Sequence, residues 1–352
     1  MKADQKAYNS NKMLKHLDRL QEWAQGNFVF PIMLDFDLTN ICNNRCPGCI
    51  GARNENNTTV ETDVVKNIIQ QLSEVGLKAI IFAGGGDPTC HKDLEEIIKF
   101  TKQSGIEVAI NTNGYELSNG VINAIAKYCT WTRVSIDADS PEMYKKTHGM
   151  PKEAFYQVLD NITRLIKTRN ELESNTTIGT CFLIGPQTVN GIYNAAEIAK
   201  GLGADNIRFR PFANWNKRKD FTKEVVGTMT TQLKKAKGLS DEQFLVSYPK
   251  DRCETIIEGR TAEYKDCLVP NFITAITPDL KLYSCCRFKN VEKHCIGDLN
   301  EKSFKEIWLS PERIKVHQRI NIQRDCPNPC MYEKYNDLLH MIKEKIPHLN
   351  FL

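Results

Sequence analysis

Short apolar segments alternate with longer amphipathic segments along the first 212 residues of the chain. The apolar segments are rich in β-branched residues and have the length of strands, whereas the segments between them have helical periodicity. Several helical segments end in glycine, a common stop signal. The predicted strands are residues 33–38, 79–84, 107–111, 132–137, 177–184 and 206–211. The predicted helices are residues 63–76, 92–105, 121–129, 154–172 and 192–203.

Six repeated strand and helix units predict an α/β fold, a partial (β/α)6 TIM-like barrel with parallel strands and right-handed connections. A closed eight-unit barrel is not expected, because the alternation stops after residue 212. The predicted organisation has four parts. These are an N-terminal helical extension (1–30) with one amphipathic helix (12–26), the partial barrel (31–212), a helical connection (213–262) and a small C-terminal hairpin and helix module (263–352).

Polar residues within the predicted strands fall on one face. Successive side chains of a strand point to opposite faces, so Val134 and Ile136 share one face, and Arg133, Ser135 and Asp137 share the other. The same parity aligns Asp35 with Asp37, Asn111 with Asn113, and Arg208 with Arg210. A packed closed barrel fills its interior with branched apolar side chains. The pattern therefore predicts a polar interior that binds a polar ligand; the alternative is that these residues face solvent at strand ends.

The composition of the chain mainly argues against certain classes of protein. The chain has 352 residues, is 41% hydrophobic and 26% charged, and contains no apolar run near the roughly 20 residues that a spanning helix needs. Its first twelve residues lack the apolar stretch of a signal peptide, so a cytoplasmic protein without membrane association is expected. The net charge of +4 is spread along the chain and predicts no nucleic-acid partner.

Thirteen cysteines favour metal ligation, because an odd count in a reducing compartment argues against a disulfide framework. Cys42, Cys46 and Cys49 follow the first strand with the spacing C-x3-C-x2-C, at the end of the unit where this architecture binds ligands. A structural zinc site normally has four protein ligands, and no fourth Cys or His lies nearby. Three thiolates suit a four-iron cluster with one open iron. Small buried residues without a functional role are expected at Cys90, Cys129 and Cys181.

With this loop, the sequence resembles the radical S-adenosylmethionine (radical SAM) superfamily. The resemblance continues in FAGGGDPT (82–89), where the family has a glycine-rich stretch ending in Glu-Pro, in NTNG (111–114) and in RVSIDA (133–138), and it covers residues 30–212. There are two departures. Gly48 stands where the family usually has an aromatic residue, and Asp87 stands where it usually has Glu.

The resemblance implies that Cys42, Cys46 and Cys49 hold a [4Fe-4S] cluster whose open iron chelates S-adenosylmethionine (SAM). It further implies reductive cleavage of SAM to a 5′-deoxyadenosyl radical, which removes hydrogen from a substrate, with electrons from a donor such as flavodoxin or ferredoxin. The residues implied to bind SAM are Gly84, Gly85, Gly86, Asp87, Asn111, Asn113, Ser135 and Asp137.

A second cysteine set lies near the C-terminus. Residues 267–286 are typical of a hairpin that turns at Pro278 and Asp279 and returns Cys285 towards Cys267. This region is similar to the auxiliary-cluster extensions called SPASM and twitch, although Leu280 stands where that family usually has Gly. The resemblance implies a second [4Fe-4S] cluster; a zinc ribbon is the alternative. The implied ligands are Cys267, Cys285, Cys326 and Cys330, with Cys286 or Cys295 as possible replacements.

The expected substrate is a polar small molecule such as a sugar, an aminocyclitol or a nucleoside, because a relative with one auxiliary cluster oxidises an aminocyclitol. The auxiliary cluster would either accept an electron, which makes the reaction a net oxidation, or only hold the C-terminal module together. The segment before the first strand is too short for a peptide-recognition domain. A peptide-modifying enzyme is therefore the second candidate, and a noncatalytic metal scaffold is the third. Arg208 and Arg210 project inward by parity and are expected to bind an anionic group or to assist proton removal. Alternatively, they pair with Asp35 or Asp37.

Overall fold

One ten-stranded sheet organises the protein. The computed structural model describes residues 10–49, 56–212, 221–250, 253–254, 264–326, 330–345 and 347. The strands are β1 (Met33–Asp37), β2 (Ala79–Ala83), β3 (Glu107–Thr112), β4 (Cys129–Ser135), β5 (Thr177–Ile184), β6 (Asn206–Pro211), β7 (Leu245–Ser247), β8 (Ile273–Ile276), β9 (Lys281–Tyr283) and β10 (Cys295–Asp298). Their order across the sheet is β10-β9-β8-β1-β2-β3-β4-β5-β6-β7. The pairings among β1 to β8 are parallel, whereas β8 with β9 and β9 with β10 pair antiparallel.

Helices connect the parallel strands, as expected for a partial TIM-like barrel. A 3-10 helix (Ser10–Lys15) precedes them. The α-helices are α1 (Leu17–Ala24), α2 (Thr62–Glu74), α3 (Leu94–Gln103), α4 (Asn119–Tyr128), α5 (Pro141–His148), α6 (Glu153–Glu171), α7 (Ile192–Gly201), α8 (Lys223–Lys237), α9 (Phe304–Trp308), α10 (Pro311–Arg319), α11 (Ile322–Asp325) and α12 (Glu333–Lys343). The five predicted barrel helices are confirmed as α2, α3, α4, α6 and α7.

The outward face of the barrel strands forms the core. Leu34, Phe36, Val134 and Phe209 are fully buried among the apolar residues of the surrounding helices. The alternate positions carry polar residues, as the parity of the strands predicts. The α/β prediction is therefore confirmed, including the polar character of the opposite face.

Two parts of the sheet were not predicted. In the segment expected to be a helical connection, β7 follows α8 and pairs in parallel with β6, with Leu245 opposite Asn206. A strand of three residues is too short to show alternation in the sequence. The C-terminal hairpin extends the same sheet, because β8 pairs in parallel with β1. The second cysteine module is thus attached directly to the strand that leads into Cys42.

The N-terminal segment packs on this C-terminal module. Trp23 makes an edge contact with Phe272, with ring centroids 5.3 Å apart, and both lie in an apolar cluster with Met13 and Leu339. The segment is not the single helix predicted over residues 12–26. It is divided at His16 into the 3-10 helix and α1.

The turn between β8 and β9 holds Leu280 at a positive φ of 64°. A left-handed conformation costs about 1–2 kcal/mol for an L-residue, but not for glycine. We expect Leu280→Gly to be more stable than Leu280→Ala by about 1 kcal/mol, because both lose the side chain's core contacts but only glycine relieves the strain. Unfolding of the two variants measures this difference. Equal stability, or a more stable Ala variant, would contradict it.

Candidate functional site

The loop after β2 lies directly against the backbone of the cysteine loop after β1. Gly86 N donates to Thr39 O at 2.8 Å, and Asp87 N donates to Ile41 O at 2.9 Å. A Cβ on Gly86 would lie 2.0 Å from Ile41 O, and a Cβ on Gly84 would lie 1.8 Å from Gly86 O. Gly86 is therefore required by contact between the two loops, and Gly84 by a contact within its own loop. The role of these glycines in binding SAM stays a prediction.

Asp87 ties the glycine-rich loop to the end of β3. Its Oδ1 accepts from Thr89 N at 3.0 Å, Thr89 Oγ1 at 2.7 Å and Thr112 Oγ1 at 2.9 Å, and its Oδ2 accepts from Asn113 N at 2.6 Å. Burial raises the pKa of Asp87, although these four donors act in the opposite direction. These contacts support a role for the Asp87 carboxylate in positioning the glycine-rich loop.

Asn113 joins the end of β3 to the cysteine loop. Its Nδ2 donates to Asn43 Oδ1 at 2.7 Å and lies 3.7 Å from Cys42 Sγ, while its Oδ1 accepts from Tyr115 N at 2.8 Å. Asn111 lies lower on β3, opposite Arg133 of β4. The structure thus brings Asn113, but not Asn111, into contact with the cysteine loop.

Cys42, Cys46 and Cys49 lie close enough to affect one another's ionisation. Burial raises the pKa of Cys46 to about 12, and the neighbouring Cys49 and Cys42 add to this shift. Cys42 and Cys49 are exposed, so their thiols are accessible to a ligand. The ring of Phe212 lies against Gly48, where an added Cβ would be 3.3 Å from it.

Three soft thiols at the mouth of a polar sheet fit an iron–sulfur cluster by their donor chemistry. Within the described part of the chain, no group of three or more His, Cys, Asp or Glu side chains is arranged to hold a single metal ion.

Asp137 lies at the end of β4 with a φ of 46°. Its Oδ1 accepts from Leu183 N at 2.6 Å. Burial raises the pKa of Asp137 to about 7, although the Leu183 N–H and the nearby Arg210 oppose this rise. Ser135 is half-buried on the same face of β4. Both residues therefore face the barrel interior, as strand parity predicts.

The end of β1 is joined to the second module by a buried ion pair. Lys289 Nζ lies 2.6 Å from Asp37 Oδ1, and the two side chains are 12% and 1% exposed. Burial raises the pKa of Asp37 to about 6, although Lys289 and the Gly85 N–H lower it. Burial alone would lower the pKa of Lys289, but attraction to Asp37 and Asp35 raises it instead. Asp37 is thus paired with Lys289 rather than with Arg208 or Arg210, the alternative considered from the sequence.

The second module gathers three of its four predicted ligands. Burial raises the pKa of Cys267, and the nearby Cys330 and Cys326 raise it further. Cys285 is buried after β9 in the apolar cluster that Cys267 and Cys326 also contact. The Cys286 thiol lies instead 3.8 Å from the Tyr332 hydroxyl. Cys286 also packs against this apolar cluster, so the contacts do not separate it from Cys285, and the ligand assignment stays a prediction.

Comparison with known proteins identifies the family. The Radical SAM superfamily model matches residues 36–197, and the model of the SPASM iron–sulfur cluster-binding domain matches residues 267–332. The AdoMet-dependent heme synthase of Methanosarcina barkeri is 30% identical over 324 residues, which cover 85% of this chain and 87% of the relative. The chain belongs to the radical SAM superfamily. A GTP 3′,8-cyclase of Klebsiella pneumoniae is also 30% identical, but over 137 residues, or 37% of this chain and 40% of the cyclase.

Solved radical SAM structures share the fold. SuiB of Streptococcus suis bound to S-adenosylmethionine has a TM-score of 0.66 and 16% identity, covering 96% of this chain and 79% of SuiB. Native anSMEcpe with AdoMet and the Kp18Cys peptide has a TM-score of 0.61 and 14% identity, covering 90% and 100% of the two chains. Family membership implies a SAM-binding [4Fe-4S] cluster and auxiliary iron–sulfur binding in the SPASM domain. Among the described helices, none is long and apolar enough to span a bilayer.

Sequence reasoning about this radical SAM site missed Lys289 and Phe212. Lys289 is one of many lysines in the chain, and its pairing with Asp37 depends on how the hairpin attaches to β1. Phe212 follows β6 and reaches Gly48 across the barrel mouth. Gly48, which stands where the family usually has an aromatic residue, was the feature of the sequence that pointed to a different contact at this position.

Asp87→Asn should loosen the cysteine loop. The new amide NH2 at the Oδ2 position would face the Asn113 N–H, so a donor would lose its acceptor at a cost of about 1–3 kcal/mol. We expect a lower thermal midpoint and less iron per protein after anaerobic reconstitution. Asp160→Asn on the exposed face of α6 is the control and should match the wild type in both measurements. Unchanged iron content and midpoint in Asp87→Asn would contradict this role.

Lys289→Met should destabilise the radical SAM fold in a pH-dependent manner. Removing one partner of a buried pair costs about 3–5 kcal/mol when the remaining group stays charged. Loss of Lys289 raises the pKa of Asp37 further. The Asp37 carboxyl is then neutral at acid pH, whereas at alkaline pH it is charged and has no partner. The drop in thermal midpoint is therefore expected to be larger near pH 8 than near pH 5.5.

Two controls accompany this experiment. Lys99→Met removes an exposed lysine of α3 and should have little effect at either pH. Adding Asp37→Asn to Lys289→Met should remove the pH dependence. A midpoint drop that is the same at both pH values would rule out an ionised Asp37 as its cause.

Proposed function

We propose that this radical SAM enzyme cleaves SAM reductively and removes hydrogen from a polar small molecule. The observation that carries the proposal is the polar interior face of the barrel beside the three-thiol loop. Arg133 and Asp37 are buried there, and Ser135, Asp137 and Arg210 are half-buried. A substrate in this space would meet hydrogen-bonding and charged groups rather than an apolar wall.

The residues assigned to the cofactors follow the two loops. Cys42, Cys46 and Cys49 would hold the cluster, and its open iron together with SAM would supply the 5′-deoxyadenosyl radical. The glycine-rich loop (84–86) and Asn113 would border SAM, with Asn111, Ser135 and Asp137 on the interior wall. Asp87 would hold the glycine-rich loop in place. A flavodoxin or ferredoxin would supply the electron.

Arg210 and Asp137 form the pair best placed for proton transfer. Asp137 has a pKa of about 7, because burial disfavours its charged form. A carboxyl that titrates near neutral pH can accept or release a proton under working conditions. Arg210 stabilises the ionised form, and with Arg208 it would also hold an anionic part of the substrate.

The relatives support a small polar substrate. Three relatives with 30% identity are named as a heme synthase, a GTP 3′,8-cyclase and a nucleotide dehydratase. The peptide-bound neighbour anSMEcpe has only 14% identity, so it supports the fold and not a peptide substrate. A peptide substrate is the second outcome that the assay below must separate.

The SPASM domain would hold one auxiliary [4Fe-4S] cluster through Cys267, Cys285, Cys326 and Cys330. Such a cluster can accept an electron from a substrate radical, which would make the reaction a net oxidation. Iron and sulfide analysis after replacing Cys42, Cys46 and Cys49 by Ala separates this cluster from a zinc ribbon. Residual four-iron content is expected, and zinc alone would overturn the assignment.

Reduced wild-type enzyme should form 5′-deoxyadenosine slowly alone and faster with its substrate. The measurement is mass spectrometry of deoxyadenosine with deuterated candidate sugars, aminocyclitols, nucleotides and peptides. Deuterium transfer from a small molecule is expected, whereas transfer only from a peptide would favour the alternative. Cys42→Ala should form no deoxyadenosine, and Cys129→Ala, a buried thiol at the start of β4, should retain it. No deoxyadenosine from reduced wild type would contradict the proposal.

A further inference from the structure

An arginine with no assigned role is buried in the barrel interior. Arg133 of β4 is only 9% exposed. Its guanidinium lies 4.7 Å from the Trp131 ring, and its Nε has no hydrogen-bond partner within the described residues. A buried donor of a charged group that lacks a hydrogen-bond partner is costly. A buried cation held this way indicates a place for an anion that comes from outside the chain.

The strand register places a second arginine, Arg208, near Arg133. Arg133 is opposite Gly179 of β5, and Cys181, two residues further along β5, is opposite Arg208 of β6. Residues paired across parallel strands share a face, so both arginines face the interior. Gly179 and Cys181 are small, and the Asn206 side chain of β6 lies against Gly179 on this face.

Lys12 of the N-terminal 3-10 helix adds a third cation at this end of the barrel. Its side chain is exposed, yet its surroundings lower its pKa by desolvation, followed by repulsion from Arg208 and Arg133. Glu107 is the acidic group that acts on Lys12 in the opposite direction.

The nearby carboxylates have other partners. Asp37 pairs with Lys289, and Asp137 accepts from Leu183 N and lies near Arg210. In the described part of the chain, no ion pair links either carboxylate to Arg133. The positive charge around Arg133 is therefore not balanced by these two groups.

We propose that Arg133 and Arg208 form an oxyanion subsite at the base of the barrel interior, which holds a carboxylate or phosphate group of the substrate. This inference rests on the proposed function and narrows its substrate class to anionic molecules. Guanidinium groups suit this task, because their paired donors match the oxygens of both anions. The reacting part of the substrate would then point towards the thiol loop at the opposite end.

Calorimetric titration of reconstituted full-length enzyme with sodium pyrophosphate and, separately, with succinate tests the subsite. The two probes distinguish phosphate from carboxylate recognition. Wild type should bind at least one probe, and Arg133→Gln should weaken that binding about ten- to hundredfold. Arg208→Gln should also weaken it, and Arg133→Lys should bind with intermediate affinity. Arg319→Gln on the exposed face of α10 is the matched control and should bind like the wild type.

Three results would overturn the subsite: binding of neither probe by wild type, equal binding by Arg133→Gln and wild type, or complete loss of probe binding when SAM is present. The last result would assign the cations to the cofactor. Iron content and thermal midpoint verify that each variant is folded. Enzyme that forms deoxyadenosine but binds neither probe would contradict the subsite alone, whereas enzyme that binds a probe but forms no deoxyadenosine would contradict the proposed function.

Discussion

Close backbone packing between the loop after β1 and the loop after β2 is the constraint on which the rest of the site depends. The carbonyl of Ile41 approaches Gly86 so closely that any side chain at this position would collide with it. Asp87 then fixes the second loop to the end of β3, and Asn113 extends the connection back to Asn43. Three successive strand ends thereby set the position of the cysteine loop through hydrogen bonds of the protein itself.

The same strand that leads into the cysteine loop also carries the second module. β8 pairs with β1 along its length, and Lys289 reaches the buried Asp37 at its end. The SPASM domain and the strand that leads into the cysteine loop are therefore joined by backbone hydrogen bonds and by a buried charge pair. Asp37 lies at this junction, because it also accepts a hydrogen bond from the Gly85 N–H.

Strand periodicity and local motifs made much of this arrangement predictable. The alternation of Val134 and Ile136 with Arg133, Ser135 and Asp137 correctly indicated an apolar outer face and a polar interior. The spacing of Cys42, Cys46 and Cys49 correctly indicated the radical SAM family, which the family comparisons confirm. These features are local, because each depends on residues that are near one another in the chain.

Contacts between distant segments could not be predicted in this way. The pairing of β8 with β1, the position of Phe212 against Gly48, and the Asp37–Lys289 pair all join residues far apart in sequence. The strand β7 was too short to show a period. The roles of Gly84 and Gly86 were only partly understood, because the motif identified the glycines but not the carbonyl oxygens that exclude a side chain there.

The most direct test of the central claim is deoxyadenosine formation by anaerobically reconstituted, reduced enzyme supplied with SAM. The account predicts that wild type forms 5′-deoxyadenosine and that Cys42→Ala, prepared in the same way, forms none. Iron-loaded wild type that leaves SAM intact under reducing conditions would contradict it, as would equal deoxyadenosine formation by the two proteins.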